Sequence, residues 1–158
     1  MRCYEALRDK DQAFFGIDVQ IDGTYVLWEA AILRLKWLTS MHYPSERAGA
    51  VADILDLLPL IYKQAIVKHH RRVSSGRTTP LTGDRDNSTS RGMDRPAIIS
   101  FTADRILPIF LYVVVQAAIP NIAVIRREMQ MVRHQGTCEY ALVTLDAAIE
   151  GILSMADE

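Results

Sequence analysis

From 106 to 119 the chain is apolar apart from the hydroxyl of Tyr112 and the amide of Gln116, and no other stretch restricts the fold as much. A bilayer span needs about 20 apolar residues, so these 14 predict a central helix that neighbouring elements must cover. The triplet Val113-Val114-Val115 also suits a buried strand. Yet the run is longer than ordinary strands, and a parallel sheet would require βα units that the remaining sequence does not supply.

Near the mouth of this run stands Pro108, four residues after Asp104. In a helix beginning at Thr102, Pro108 has no N–H to bond the Asp104 carbonyl, and its ring crowds that carbonyl, which predicts a bend at Asp104. The carboxylate would then be displayed in the first helical turn, where the backbone dipole favours a negative charge by about 0.3–1 kcal/mol. The same spacing also fits a plainer arrangement in which Thr102 or Asp104 caps the helix and Pro108 marks an irregular first turn.

The rest of the chain reads as further helices. Trp28, Ala31, Ile32, Leu35 and Leu38 recur at helical spacing and predict a helix over 25–38, with Asp22-Gly23-Thr24 as turn and cap. A second is predicted from Pro44 through Leu55, Leu58, Tyr62 and Ile66 to about Lys68, with Pro59 inside it. The segment 71–96 is Ser, Thr, Gly, Asp and Arg with little to bury, and is predicted to be a disordered insertion. Helices over 102–118, 121–133 and 137–156 follow, so the expected fold class is all-α, a layered bundle with antiparallel neighbours across the short connections. One domain over 1–158 suits the length and the 49% hydrophobic content.

In the last helix Ala141, Leu142, Leu145, Ala148, Ile149, Ile152 and Leu153 share one face, which is predicted to be buried. Tyr140 lies nearly opposite, beside Val143, Thr144, Ala147 and Gly151, which are small and uncharged where a solvated face would carry Glu and Lys. An aromatic ring over small residues suits a partner-docking surface. A second element of the same domain covering this face would explain the composition equally.

Other constellations carry less chemistry. Cys3 and Cys138 are the only cysteines, so neither a disulfide framework nor a zinc-spaced cluster is expected, and a reducing compartment is. His69 and His70 are adjacent and point to different faces, a poor metal pair. The basic stretch from Lys68 to Arg72 reads as a helix end entering a solvated loop, and Met129 and Met131 as core filling. A net charge of −1 gives no bulk attraction to nucleic acid. The first residues include Glu5 and Asp9 and lack an apolar core, so no signal peptide is expected.

The run Ala103-Asp104-Arg105-Ile106-Leu107-Pro108-Ile109-Phe110-Leu111-Tyr112-Val113-Val114, then Pro120, Gly136, Tyr140, Leu145 and Ala147-Ala148-Ile149, resembles the Vps-nine domain family. The resemblance is densest over 100–153, and the Ile-Phe-Leu-Tyr-Val-Val block is similar to the alsin branch. It implies a layered helical bundle acting as guanine nucleotide exchange factor for an early-endosomal Rab GTPase, taken in its GDP-bound or nucleotide-free state. By position, Asp104 matches the family's catalytic aspartate, Pro108 its helix proline and Tyr140 its essential tyrosine. Val143, Thr144 and Ala147 would complete the GTPase-binding groove. Three positions depart from the family: Val143 replaces a threonine, Ala118 an asparagine and Thr137 a glutamate, which puts rate and partner choice in question.

The resemblance implies no metal and no cofactor, a cytoplasmic location with recruitment to early endosomes, and membrane association only through the partner or flanking domains. A Rab-binding scaffold with weak exchange, and a purely structural helical domain of a larger protein, are the alternatives.

Overall fold

Each helix forms where apolar residues recur on one face, and the structure, a computed structural model, describes residues 2–18, 20–21, 23–75 and 102–156. The element order is α1 (Arg2–Arg8), β1 (Gln20–Ile21), β2 (Thr24–Tyr25), α2 (Glu29–Lys36), a 3-10 turn over Trp37–Ser40, α3 (Pro44–Ser75), α4 (Ala103–Ala117), α5 (Ile122–Gln130) and α6 (Thr137–Ala156). The fold is all-α, with a single two-residue antiparallel hairpin among the described residues.

The apolar run becomes α4 and lies at the centre. Ile109, Phe110, Leu111, Val113, Val114, Val115 and Ala117 are all buried, with α2 and α6 packed against them and α1 and α3 completing the cover. Burying each large side chain contributes about 1.5–3 kcal/mol, which outweighs the few tenths of a kcal/mol that a valine loses in a helix relative to alanine. The strand reading of the valine triplet therefore fails on packing. The helix ends at Ala118, which is left-handed at φ 47°, ψ 48° and donates its N–H back to Val114 and Val115. That conformation suits Gly or Asn and costs a β-carbon about 1 kcal/mol. Accordingly, Ala118→Gly should stabilise the domain by about 0.5 kcal/mol after allowing for the looser unfolded chain, read as a higher denaturant midpoint.

The amino-terminal part departs from expectation in two ways. Arg2–Arg8 is helical, although no element was expected there, and it packs on α4 and α6. The helix expected over 25–38 is shorter, because Gly23 at φ 71° turns a hairpin instead of capping a helix: Gln20 pairs with Tyr25 and Ile21 with Thr24. A buried polar bracket fixes this region. Gln12 donates from Nε2 to the Val26 carbonyl at 2.9 Å and accepts the Trp28 indole N–H at 3.2 Å. Both side chains are buried, so each satisfies a group that would otherwise be desolvated without a partner. Replacing Trp28 by Phe keeps most of the ring and strands the Gln12 oxygen, and should cost about 1–3 kcal/mol in thermal or denaturant unfolding.

Helix α3 runs to Ser75, seven residues past the expected end at Lys68, so the first five residues of the expected insertion 71–96 are helical. The remainder of that insertion lies outside the described residues. Pro59 stands inside α3 and leaves the Leu55 carbonyl without its helical donor. Helix α5 ends at Gln130, three residues before the expected Arg133, and His134 Nε2 lies 2.7 Å from the Met129 carbonyl just beyond its end. Met129 is buried as expected, but Met131 is 77% exposed and fills no core. Ion pairs tie α5 to its neighbours, Arg47 of α3 to Glu128 and Arg126 to Asp146 of α6, the latter also accepting from Gln130 Nε2 at 2.8 Å.

Candidate functional site

Asp104, Leu107 and Pro108 stand three and four residues apart on α4, and Tyr140, Val143, Thr144 and Ala147 repeat the same spacing on α6. Residues so spaced share one helical face. The two faces meet, and these seven residues line one groove of about 430 Å³. Every residue expected at the site thus borders a single groove, with Leu107 added to them.

Asp104 is the second residue of α4 and is exposed at the groove's edge. Thr102 occupies the cap position with extended backbone, but its side chain makes no capping bond; its carbonyl accepts the N–H groups of Arg105 at 3.0 Å and Ile106 at 3.2 Å. Pro108 lies inside the helix, so the Asp104 carbonyl has no i+4 donor. Among the described residues the Asp104 carboxylate accepts no hydrogen bond and forms no ion pair. It stands in the first turn of α4, where the helix dipole favours negative charge.

Tyr140 stands in the first turn of α6, its N–H donating to the Gly136 carbonyl at 3.2 Å. Its side chain is 50% exposed and that of Val143, one turn on, 63%. Such adjacent exposed apolar groups, next to Leu107, which is 36% exposed, form the kind of patch that proteins keep for partners.

The helical wheel misjudged three positions on α6. Thr144 is 7% exposed and donates its hydroxyl to the Tyr140 carbonyl at 2.9 Å, so it forms the floor of the groove and braces the turn that carries the ring. Gly151 faces α4: a β-carbon there would approach Leu111 Cδ1 to 2.9 Å. A bulky residue would push the two helices apart, and Gly151→Leu should destabilise by about 1–3 kcal/mol, measurable as a fall in melting temperature. Leu153, expected in the core, is 51% exposed. The buried face is centred nearer Ala141 and Ala148 than the apolar pattern indicated, because the small residues Ala, Thr and Gly provide the close approach to α4.

Leu107 was counted with the core run by sequence, although its position three residues after Asp104 and three before the buried Phe110 places it at the rim. Two of the family departures lie elsewhere. Ala118 ends α4, about 20 Å from its start at 1.5 Å per residue, and Thr137 begins α6 outside the groove lining. Only Val143 touches the groove.

Among the described residues no group of three His, Cys, Asp or Glu side chains is arranged to hold a metal ion, and no helix is long and apolar enough to cross a membrane. No curated protein and no solved structure gives a significant match to the chain. A family model does: that of the vacuolar sorting protein 9 (VPS9) domain matches residues 28–157, from the buried Trp28 of the polar bracket through the whole of α6. With α4, α6 and the groove between them all inside that match, the chain belongs to the VPS9 domain family.

Proposed function

We propose that the groove between α4 and α6 binds an early-endosomal GTPase of the Rab-five class and that Asp104 helps to empty its nucleotide site. Membership of the VPS9 family carries nucleotide exchange on Rab-type small GTPases. The observation that carries the residue assignment is the convergence of an unpaired carboxylate, Asp104, and an exposed ring, Tyr140, on one apolar groove.

Exchange makes and breaks no covalent bond. A GTPase retains GDP through Mg²⁺ and a phosphate-loop lysine with surrounding backbone amides. A carboxylate that pairs with this lysine replaces the phosphate charge and opposes phosphate return. Asp104 supports this reading, exposed in the first turn of α4 with no ion pair among the described residues. Leu107, Tyr140, Val143 and Ala147 offer apolar surface to a displaced switch segment, which must bury its hydrophobic residues when it leaves the nucleotide. Because the domain then binds the empty GTPase better than the loaded one, it weakens GDP by the same factor. Cellular GTP fills the vacated site, and the location follows the partner to early endosomes.

Release of fluorescent GDP from a panel of Rab GTPases tests this reading. Acceleration by the domain confined to the endosomal members supports it, and no acceleration on any member overturns it. A weaker exchanger serving as a Rab-binding scaffold is the second reading, favoured by Val143, which puts an apolar side chain on the groove rim where the family carries a hydroxyl. Capture of nucleotide-free Rab without faster GDP release would select the scaffold.

A further inference from the structure

Asp104 has an acidic neighbour from a part of the chain that the family match does not include. A small cleft of about 40 Å³ opens beside the groove and is lined by Asp18 and Asp104 together with Gly16, Ile17, Arg105 and Pro108. Asp104 and Pro108 border both the cleft and the groove, so the two form one continuous surface. Asp18 precedes residue 28, where the family match begins.

The segment bearing Asp18 is firmly anchored. Ile17 is buried next to it and donates its N–H to the Gln12 carbonyl at 3.0 Å, and Gln12 is held in turn by Val26 and Trp28. Phe15 is buried edge-on against Tyr112 of α4 with ring centroids 5.4 Å apart, and Gln116 of α4 donates to the Arg8 carbonyl at 2.9 Å. Asp18 itself is exposed. Among the described residues its carboxylate has no hydrogen bond or ion pair, and Arg105 in the same cleft pairs with neither acid. Two carboxylates and one guanidinium thus border one cleft, and Asp18 stands at its exposed edge, open to a partner.

We infer that Asp18 is a partner-recognition residue of the exchange site, meeting a cationic side chain on the GTPase surface next to the lysine that Asp104 addresses. This rests on the groove being the GTPase site. Asp18 acts on encounter and partner choice, whereas Asp104 acts on nucleotide release, because an exposed charge at the rim of an interface governs association rate and its salt dependence.

The test is the rate of fluorescent GDP release against concentration of the whole 158-residue chain, carrying Asp18→Asn or Asp104→Asn. For Asp18→Asn at low ionic strength the half-saturating concentration should rise about three- to fivefold, the size of one exposed ion pair. Its maximal rate should stay far above that of Asp104→Asn. The difference from the parent should disappear towards 1 M salt, where the screening length is about 3 Å, and the melting temperature should not move. If Asp18→Asn behaves as the parent at low salt while Asp104→Asn is inactive, the inference fails and the exchange reading stands. A lowered melting temperature with unaltered salt dependence would make Asp18 structural and would also overturn it. If the parent accelerates no Rab, both fall together.

Discussion

Asp104→Ala is expected to lower stimulated GDP release by about two to three orders of magnitude, the loss that follows removal of one preorganised charge partner, while leaving the melting temperature within about a degree of the parent. The side chain is exposed and, among the described residues, forms no hydrogen bond or ion pair. Its charge is favoured at the helix start by about 0.3–1 kcal/mol. Asp104→Asn separates charge from shape, since the amide keeps the outline and can still accept a hydrogen bond. If pairing with the phosphate-loop lysine is the mechanism, the asparagine variant is nearly as inactive as alanine. GDP release by both variants at the parental rate removes Asp104 from the mechanism.

The second large effect is expected at Tyr140. Tyr140 is half exposed, so Tyr140→Ala removes little buried surface and should cost the fold less than about 1 kcal/mol, in the usual range of surface substitutions. In the complex the ring would be covered by the switch segment, and an aromatic at the centre of an interface commonly contributes 2 kcal/mol or more. Titration of nucleotide-free Rab against parent and variant should therefore show about a thirtyfold weaker Kd, which is 2 kcal/mol at about 1.4 kcal/mol per decade. A falling melting temperature with unaltered Rab affinity would place the ring in the fold. Thr144→Val gives a graded companion: it keeps the volume on the groove floor and removes the hydroxyl bonded to the Tyr140 carbonyl.

Helices were legible where apolar periodicity was strong. The run around Phe110 and the last helix were anticipated nearly to their ends, because a central helix and one packed broadly against it must show their burial in the sequence. The amino-terminal segment was opaque for a physical reason. Its structure rests on the bond network among Gln12, Val26 and Trp28 and on the edge contact of Phe15 with Tyr112, which join residues distant in sequence and leave no period. Asp104 and Tyr140 could be singled out because each breaks a local pattern, an acid at the entrance to an apolar run and a ring opposite a core stripe. Thr144 could not, because a threonine that bonds the preceding turn and one that faces a partner look alike in sequence. Leu107 was hidden by its neighbours, since one rim residue inside a run of core residues has nothing in its own composition to mark it.

Helix α4 supplies both the centre of the hydrophobic core and, at its first turn, Asp104. The two roles separate when specific activity is distinguished from abundance. Trimming a core side chain such as Phe110 to alanine removes about 3–5 kcal/mol, a large share of the 5–15 kcal/mol typical of a domain. The molecules that remain folded would still present an intact carboxylate and an intact groove. Exchange per folded molecule would be preserved while quality control cleared the unfolded fraction, so a cell would register the loss as missing protein, and only purified material could tell a core lesion from one at the site.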